Sequence, residues 1–333
     1  MKSIISLLAT SLLSVSLYAN SFTPSDNKNL AVLYTFDKEN DKRFDTFAQE
    51  DLKEIGYFLN DPHHRVNDAY EEQFGSTDLS VIGFSSIMNE ALVRPMLNKD
   101  PRLAGFSPFN LLNYRKKSDM KTVIAHITPE AILDILEIDD VKMREEYIAS
   151  FKPLDALIEK KLGGKKSYLP LKGYAKDTMM NFEIVFDEPE DLDDYLDEFQ
   201  ESFEYAFETK GFVIAGFYNI KESFNSDEDV MPGYVSFWSY ALCHIPYSYA
   251  IFDGANAIPE AGIFAPCSMY VYVKEGENKI VIGMPTLSAW AAALGITDKK
   301  KIDYINQLDQ EIPAIIKSLG GVVTPNGNPL LRK

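Results

Sequence analysis

Two tandem copies of an α+β unit, each an antiparallel sheet with helices packed on it, are what this sequence predicts. The first observation is self-similarity at a separation of about 158 residues, the mark of an internal duplication. TVIAHIT at 122–128 matches IVIGMPT at 280–286, Ala104-Gly105 matches Ala261-Gly262, Ser107-Pro108-Phe109 matches Ala265-Pro266-Cys267, and Leu162-Gly163-Gly164 matches Leu319-Gly320-Gly321. Second, strand-like runs succeed one another through short polar turns more than through helical crossovers, which favours antiparallel pairing. Third, 46% hydrophobic residues in a chain of 333 can fill two cores, each of the roughly 150 residues typical of a domain.

The elements follow from local pattern. Each copy opens with a strand (30–36; 181–186), then a helix (44–59; 191–210), then a β-branched strand (81–84; 212–217). A strand pair comes next, 111–115 with 122–127 in the first copy and 269–274 with 280–284 in the second, where Gly276 and Asn278 suit the hairpin turn. Thr128-Pro129 then supplies an N-cap and the proline favoured at a first helical position. A longer helix ends at each Gly-Gly pair, which can take the left-handed C-terminal conformation. Along this stretch Ile138-Asp139 aligns with Ile296 to Asp298, and Leu154-Asp155 with Leu308-Asp309. The expected division is therefore a first repeat at 20–164, a polar, glycine-containing linker at 165–176, and a second repeat at 177–333.

Residues 1–19 read as a cleavable signal peptide: Lys2 forms a short basic region, 4–17 is apolar but interrupted by serines and a threonine, and Ala19 precedes the expected cleavage. Too short to span a bilayer and with no cysteine at the cleavage position, it implies export to the periplasm without a retained anchor or membrane span. The net charge of −17 and the lack of a basic stripe exclude nucleic acid as a partner. Much of the acid lies in 187–204, interleaved with Leu192, Tyr195, Leu196, Phe199 and Phe203 at helical spacing. That pattern describes the solvated face of an amphipathic helix.

Val81-Ile82-Gly83-Phe84-Ser85-Ser86, Lys99-Asp100-Pro101 through Gly105, and Pro108 leading into a hairpin resemble the DUF 302 family of domains of unknown function. The second copy is similar to the same family through Cys243-His244-Ile245-Pro246, Ala250, Ala261-Gly262 and Ala265-Pro266-Cys267. The resemblance implies a βαβ-rich sheet close to the TATA-binding-protein-like topology, with Cys243 and Cys267 at both family cysteine positions. In the first copy Phe109 stands where Cys267 does, which makes that copy a degenerate, structural repeat. The resemblance implies no settled activity.

Four readings of the chemistry follow. An even cysteine count in an exported protein points to a Cys243–Cys267 disulfide, closing a loop of about 25 residues. A reactive or redox pair is the second, with His244 and the flanking Pro246 and Pro266 exposing a thiolate. The third is a haem or copper site from the soft donors Cys243, His244, Cys267, Met269 and Met284. The fourth is a small-ligand pocket walled by the aromatic run around Cys243, including Trp238 and Tyr249. The expectation taken forward is an exported envelope module binding a small ligand or redox cofactor in its second repeat. A thiol-dependent redox enzyme, or a structural module docking an envelope protein, stands beside it. His126 is expected to pack in its strand, and the adjacent His63-His64 to sit in a solvated loop.

Overall fold

The computed structural model describes residues 23–37, 39–222, 231–254 and 256–324, so the leader expected at 1–19 lies outside the described residues. The first unit runs β1 (Asn29–Phe36), α1 (Asp41–Gln49), β2 (Phe58–His63), α2 (Val66–Phe74), β3 (Leu79–Met88), α3 (Glu90–Leu97), a 3-10 helix (Pro101–Phe106), β4 (Phe109–Lys116), β5 (Thr122–Ile127), α4 (Pro129–Ile135), α5 (Val141–Lys161) and β6 (Lys165–Pro170). The second repeats that order, without a counterpart of α2 among the described residues: β7 (Met179–Val185), α6 (Leu192–Glu208), β8 (Val213–Asn219), β9 (Tyr234–Cys243), α7 (Ile245–Phe252), a 3-10 helix (Pro259–Phe264), β10 (Cys267–Lys274), β11 (Lys279–Pro285), α8 (Leu287–Leu294), α9 (Lys299–Ser318) and β12 (Val322–Val323). The sheets, β2-β3-β4-β5-β1-β6 and β8-β9-β10-β11-β7-β12, correspond strand for strand and are antiparallel throughout.

The predicted α+β class and the duplication are what the structure contains. Helix starts are duplicated down to their caps: Thr128 and Thr286 each accept from the amide three residues on (3.3 and 3.0 Å), as do Asp140 and Asp298 (2.7 and 3.1 Å). Such side chains satisfy amides that lack a partner within the helix. The central strands β4 and β5 are buried almost without alternation. One face carries the unit's own helices and the other faces the opposite repeat, which removes the polar-out side of an ordinary antiparallel sheet.

The repeats interlock through reciprocal elements. The 3-10 helix Pro101–Phe106 packs on β10 and β11, and Pro259–Phe264 packs on β4 and β5. The recurring Ala-Gly pairs lie at these contacts. A Cβ on Gly105 would come within 2.9 Å of Pro285, and one on Gly262 within 2.7 Å of Leu112 and 3.1 Å of Phe84, so the close approach demands glycine. Buried polar groups bridge the same seam. Arg94 pairs with Glu90 at 2.5 Å and donates to Tyr218 Oη, Ile220 O and Glu222 O of the second repeat. Asp253 accepts from the Asp78 amide at 2.9 Å and from the Thr77 hydroxyl.

Several local expectations differ. Residues 165–170 are not linker: they form β6 and pair with β1. The helix expected over 44–59 stops at Gln49; a 3-10 helix (Asp51–Ile55) follows, ended by Gly56 at φ 76°, and the chain turns into β2. The counterpart of residues 81–84 is β9, because β3 and β9 occupy equivalent places in their sheets, while 212–217 forms β8, the counterpart of β2. Leu154-Asp155 and Leu308-Asp309 are not equivalent either. The shared Asp140 and Asp298 caps set α9 against α5 so that Asp309 falls opposite Phe151, and Asp155 opposite Pro313.

Candidate functional site

The residues predicted to form a site in the second repeat do not converge. Cys267 lies opposite Leu242 in the β9–β10 ladder, so Cys243, one residue further, projects from the other face of the sheet. The expected disulfide is corrected on this ground: both cysteines are free. Burial pushes the Cys243 thiol up to about 11, a hydrogen bond with Ser248 opposing, and pushes Cys267 higher still with the charges of Cys243 and Asp309 adding to it. Neither environment favours the thiolate that a nucleophile or metal ligand requires.

His244 caps α7, its Nδ1 accepting from the Tyr247 amide at 3.3 Å with the Tyr304 hydroxyl at the same distance. Burial lowers its pKa, with Glu311 opposing. Met269 and Met284 are fully enclosed in the core. Trp238 is buried beside Phe217, and Tyr249 stacks on Phe74 across the seam, ring centroids 4.1 Å apart. The aromatic run is thus mostly β9 and the interface. Among the described residues no group of three or more His, Cys, Asp or Glu side chains could hold a metal ion. His63 and His64 diverge, the first to Ala215 O and the second to Asp45.

A connected polar site instead occupies the first repeat, where His126 was expected only to pack. His126 lies on β5 beneath α5, enclosed by Phe109 and Phe151. Its Nδ1 is 2.9 Å from Ile127 O and its Nε2 is 2.9 Å from Asp155 Oδ1. The same carboxylate oxygen accepts from Tyr34 Oη at 2.8 Å, and Oδ2 accepts from Lys166 at 3.4 Å, which also pairs with Glu159 at 2.9 Å. Burial alone would raise the Asp155 carboxyl, but the bond to His126 and its charge, Tyr34 and Lys166 outweigh it and hold the pKa at about 2. Asp155 is therefore an acceptor only, as is the Ile127 carbonyl. The His126 ring thus bridges two acceptors, one on its own strand and one on the helix above it.

His126 and Asp155 border a cavity of about 220 Å³ lined also by Asn29, Thr128, Glu130, Lys152 and Tyr168. Ladder register identifies its counterparts in the second repeat: Phe182 for Tyr34, Met284 for His126 and Val323 for Lys166, with Pro313 replacing Asp155 along the helix. One copy is polar at all four positions and the other apolar at all four. Spacing alone could not reveal this set, because its members come from two strands, a helix and β6, which was read as linker.

No family model and no curated protein matches the chain. Among solved structures it is similar to an uncharacterized conserved protein, DUF302, from Bacillus stearothermophilus. Identity is 15% and the TM-score 0.33, over 42% of this chain and 96% of that one. No helix among the described residues is long and apolar enough to cross a membrane.

Proposed function

We propose that this chain is an exported, non-catalytic binding module whose first repeat takes a small polar ligand at the His126–Asp155 pair, while the second serves as its scaffold. The export part rests on Lys2, the apolar stretch 4–17 and Ala19. The observation that carries the ligand part is the divergence of the duplicated unit: in one copy His126 and Asp155, held by Tyr34 and Lys166, border a cavity, and the counterparts of all four are apolar in the other. A fold needing that network only for stability has an apolar solution in its own second half. A cavity of this size admits a molecule of several heavy atoms, which would meet His126, the Asp155 carboxylate and Lys152 at once. The redox-enzyme alternative loses support from two thiols on opposite faces with raised pKa values.

The test is imidazole nitrogen NMR on full-length protein titrated with amino acids and short dicarboxylates. A saturable shift of the His126 resonances by one of these probes, abolished in Asp155→Asn, is the expected result. If none perturbs His126 in the wild-type protein at millimolar concentration, the binding reading falls.

A further inference from the structure

A second cavity, of about 370 Å³, lies in the second repeat between the first half of α6 and the β8–β9 pair. Its walls combine Asp193, Asp197 and Glu222 with Phe217 and Trp238, whose ring centroids are 6.4 Å apart. Asp193 and Asp197, four residues apart in one helix, share a face with about 6 Å between their Cβ atoms. Ser236 also lines the cavity. It is only 5% exposed, and its hydroxyl has no hydrogen-bond partner among the described residues, an arrangement that costs free energy unless a visiting group completes it. Among the described residues Lys221 is the one cation lining the cavity, and its ammonium donates to Met231 O at 3.3 Å.

We infer that this cavity binds the ammonium end of a linear aliphatic amine, of the diamine or polyamine class. Aromatic faces attract a desolvated cation, the carboxylates balance its charge, and the Ser236 oxygen accepts one N–H. The methylene chain lies along Leu196, Phe217 and Trp238, and a second ammonium reaches the exposed carboxylates of α6. The site is independent of the His126 pair, which belongs to the other repeat.

The experiment is titration of the full chain with putrescine and spermidine, read by Trp238 fluorescence in a Trp290→Phe background and by calorimetry. Saturable binding at one site is expected, weakened at least tenfold by Asp193→Asn/Asp197→Asn and by Ser236→Ala, with circular dichroism confirming that each variant is folded. Butanol, which lacks the charge, should not compete. Loss of the signal to millimolar magnesium, or equal binding in wild type and both variants, would show diffuse counterion attraction to an acidic protein and overturn the site. Absence of any binding below millimolar concentration overturns it as well.

Discussion

At the scale of single residues, Asp155 makes the sharpest prediction. Its carboxyl is held at about 2, below the ordinary 3.8, so the stabilisation it contributes is fully present above about pH 4 and disappears as pH falls toward 2. For a carboxylate that is still partly exposed and screened by solvent, this contributes about 1 kcal/mol. Urea unfolding should find Asp155→Asn less stable than wild type by about that amount at pH 6, with the difference narrowing at pH 3; a gap independent of pH would contradict the ion pair. The cysteines yield the second prediction. With a pKa near 11, Cys243 is on the order of 0.1% thiolate at pH 8. Iodoacetamide should therefore modify the native protein roughly a hundredfold more slowly than the urea-unfolded chain, followed by mass spectrometry. Rapid native labelling of Cys243 would restore the reactive-thiol reading.

Among the elements, the 3-10 helices Pro101–Phe106 and Pro259–Phe264 matter most, because each enters the opposite repeat and depends on a residue without a side chain. Gly262→Ala puts a methyl within 2.7 Å of Leu112 inside a closed seam. Overpacking of this kind costs about 1–3 kcal/mol, and thermal unfolding should register it. A neutral result would mean that the seam opens easily. The paired helix caps behave differently, since Thr128 and Thr286 each also donate to a backbone carbonyl at the start of their unit, Asn29 O and Asp177 O. The Thr128 cap and the Gly-Gly ends were legible in sequence because they are local signals, read within a few residues. Strands β2, β9 and β6 were not. β9 is a run of aromatics buried on both faces, which erases period-two alternation, and β6 becomes a strand only by pairing with β1, more than a hundred residues earlier.

For the whole molecule, reciprocal packing makes the duplication one cooperative body. Arg94 of the first repeat is buried against Glu90, Tyr218 and two carbonyls of the second. Removing it leaves the buried Glu90 carboxylate without this counter-charge, although the Tyr218 hydroxyl still donates to it, and breaking a buried pair in this way typically costs roughly 3–5 kcal/mol. Urea titration of Arg94→Leu should show a large loss of stability. In the wild-type protein, tryptophan fluorescence, which reports only the second repeat, should change together with the circular dichroism of both. Two separated transitions would indicate that the repeats stand alone.

The sequence alone determined the class, the duplication and much of the order of elements, since these rest on periodicity, caps and self-similarity carried by neighbouring residues. It also identified Phe109 and Cys267 as equivalent, and aligned His126 with Met284 without showing what that exchange meant. Only the tertiary structure decided which copy carries a polar site. Ladder register turns Cys243 and Cys267 to opposite faces although they lie on neighbouring strands. The same packing brings Tyr34, His126, Asp155 and Lys166 onto one carboxylate from positions up to 132 residues apart in the chain. Side-chain direction and long-range pairing are properties of the closed sheet and the helix laid over it, and no local pattern encodes them.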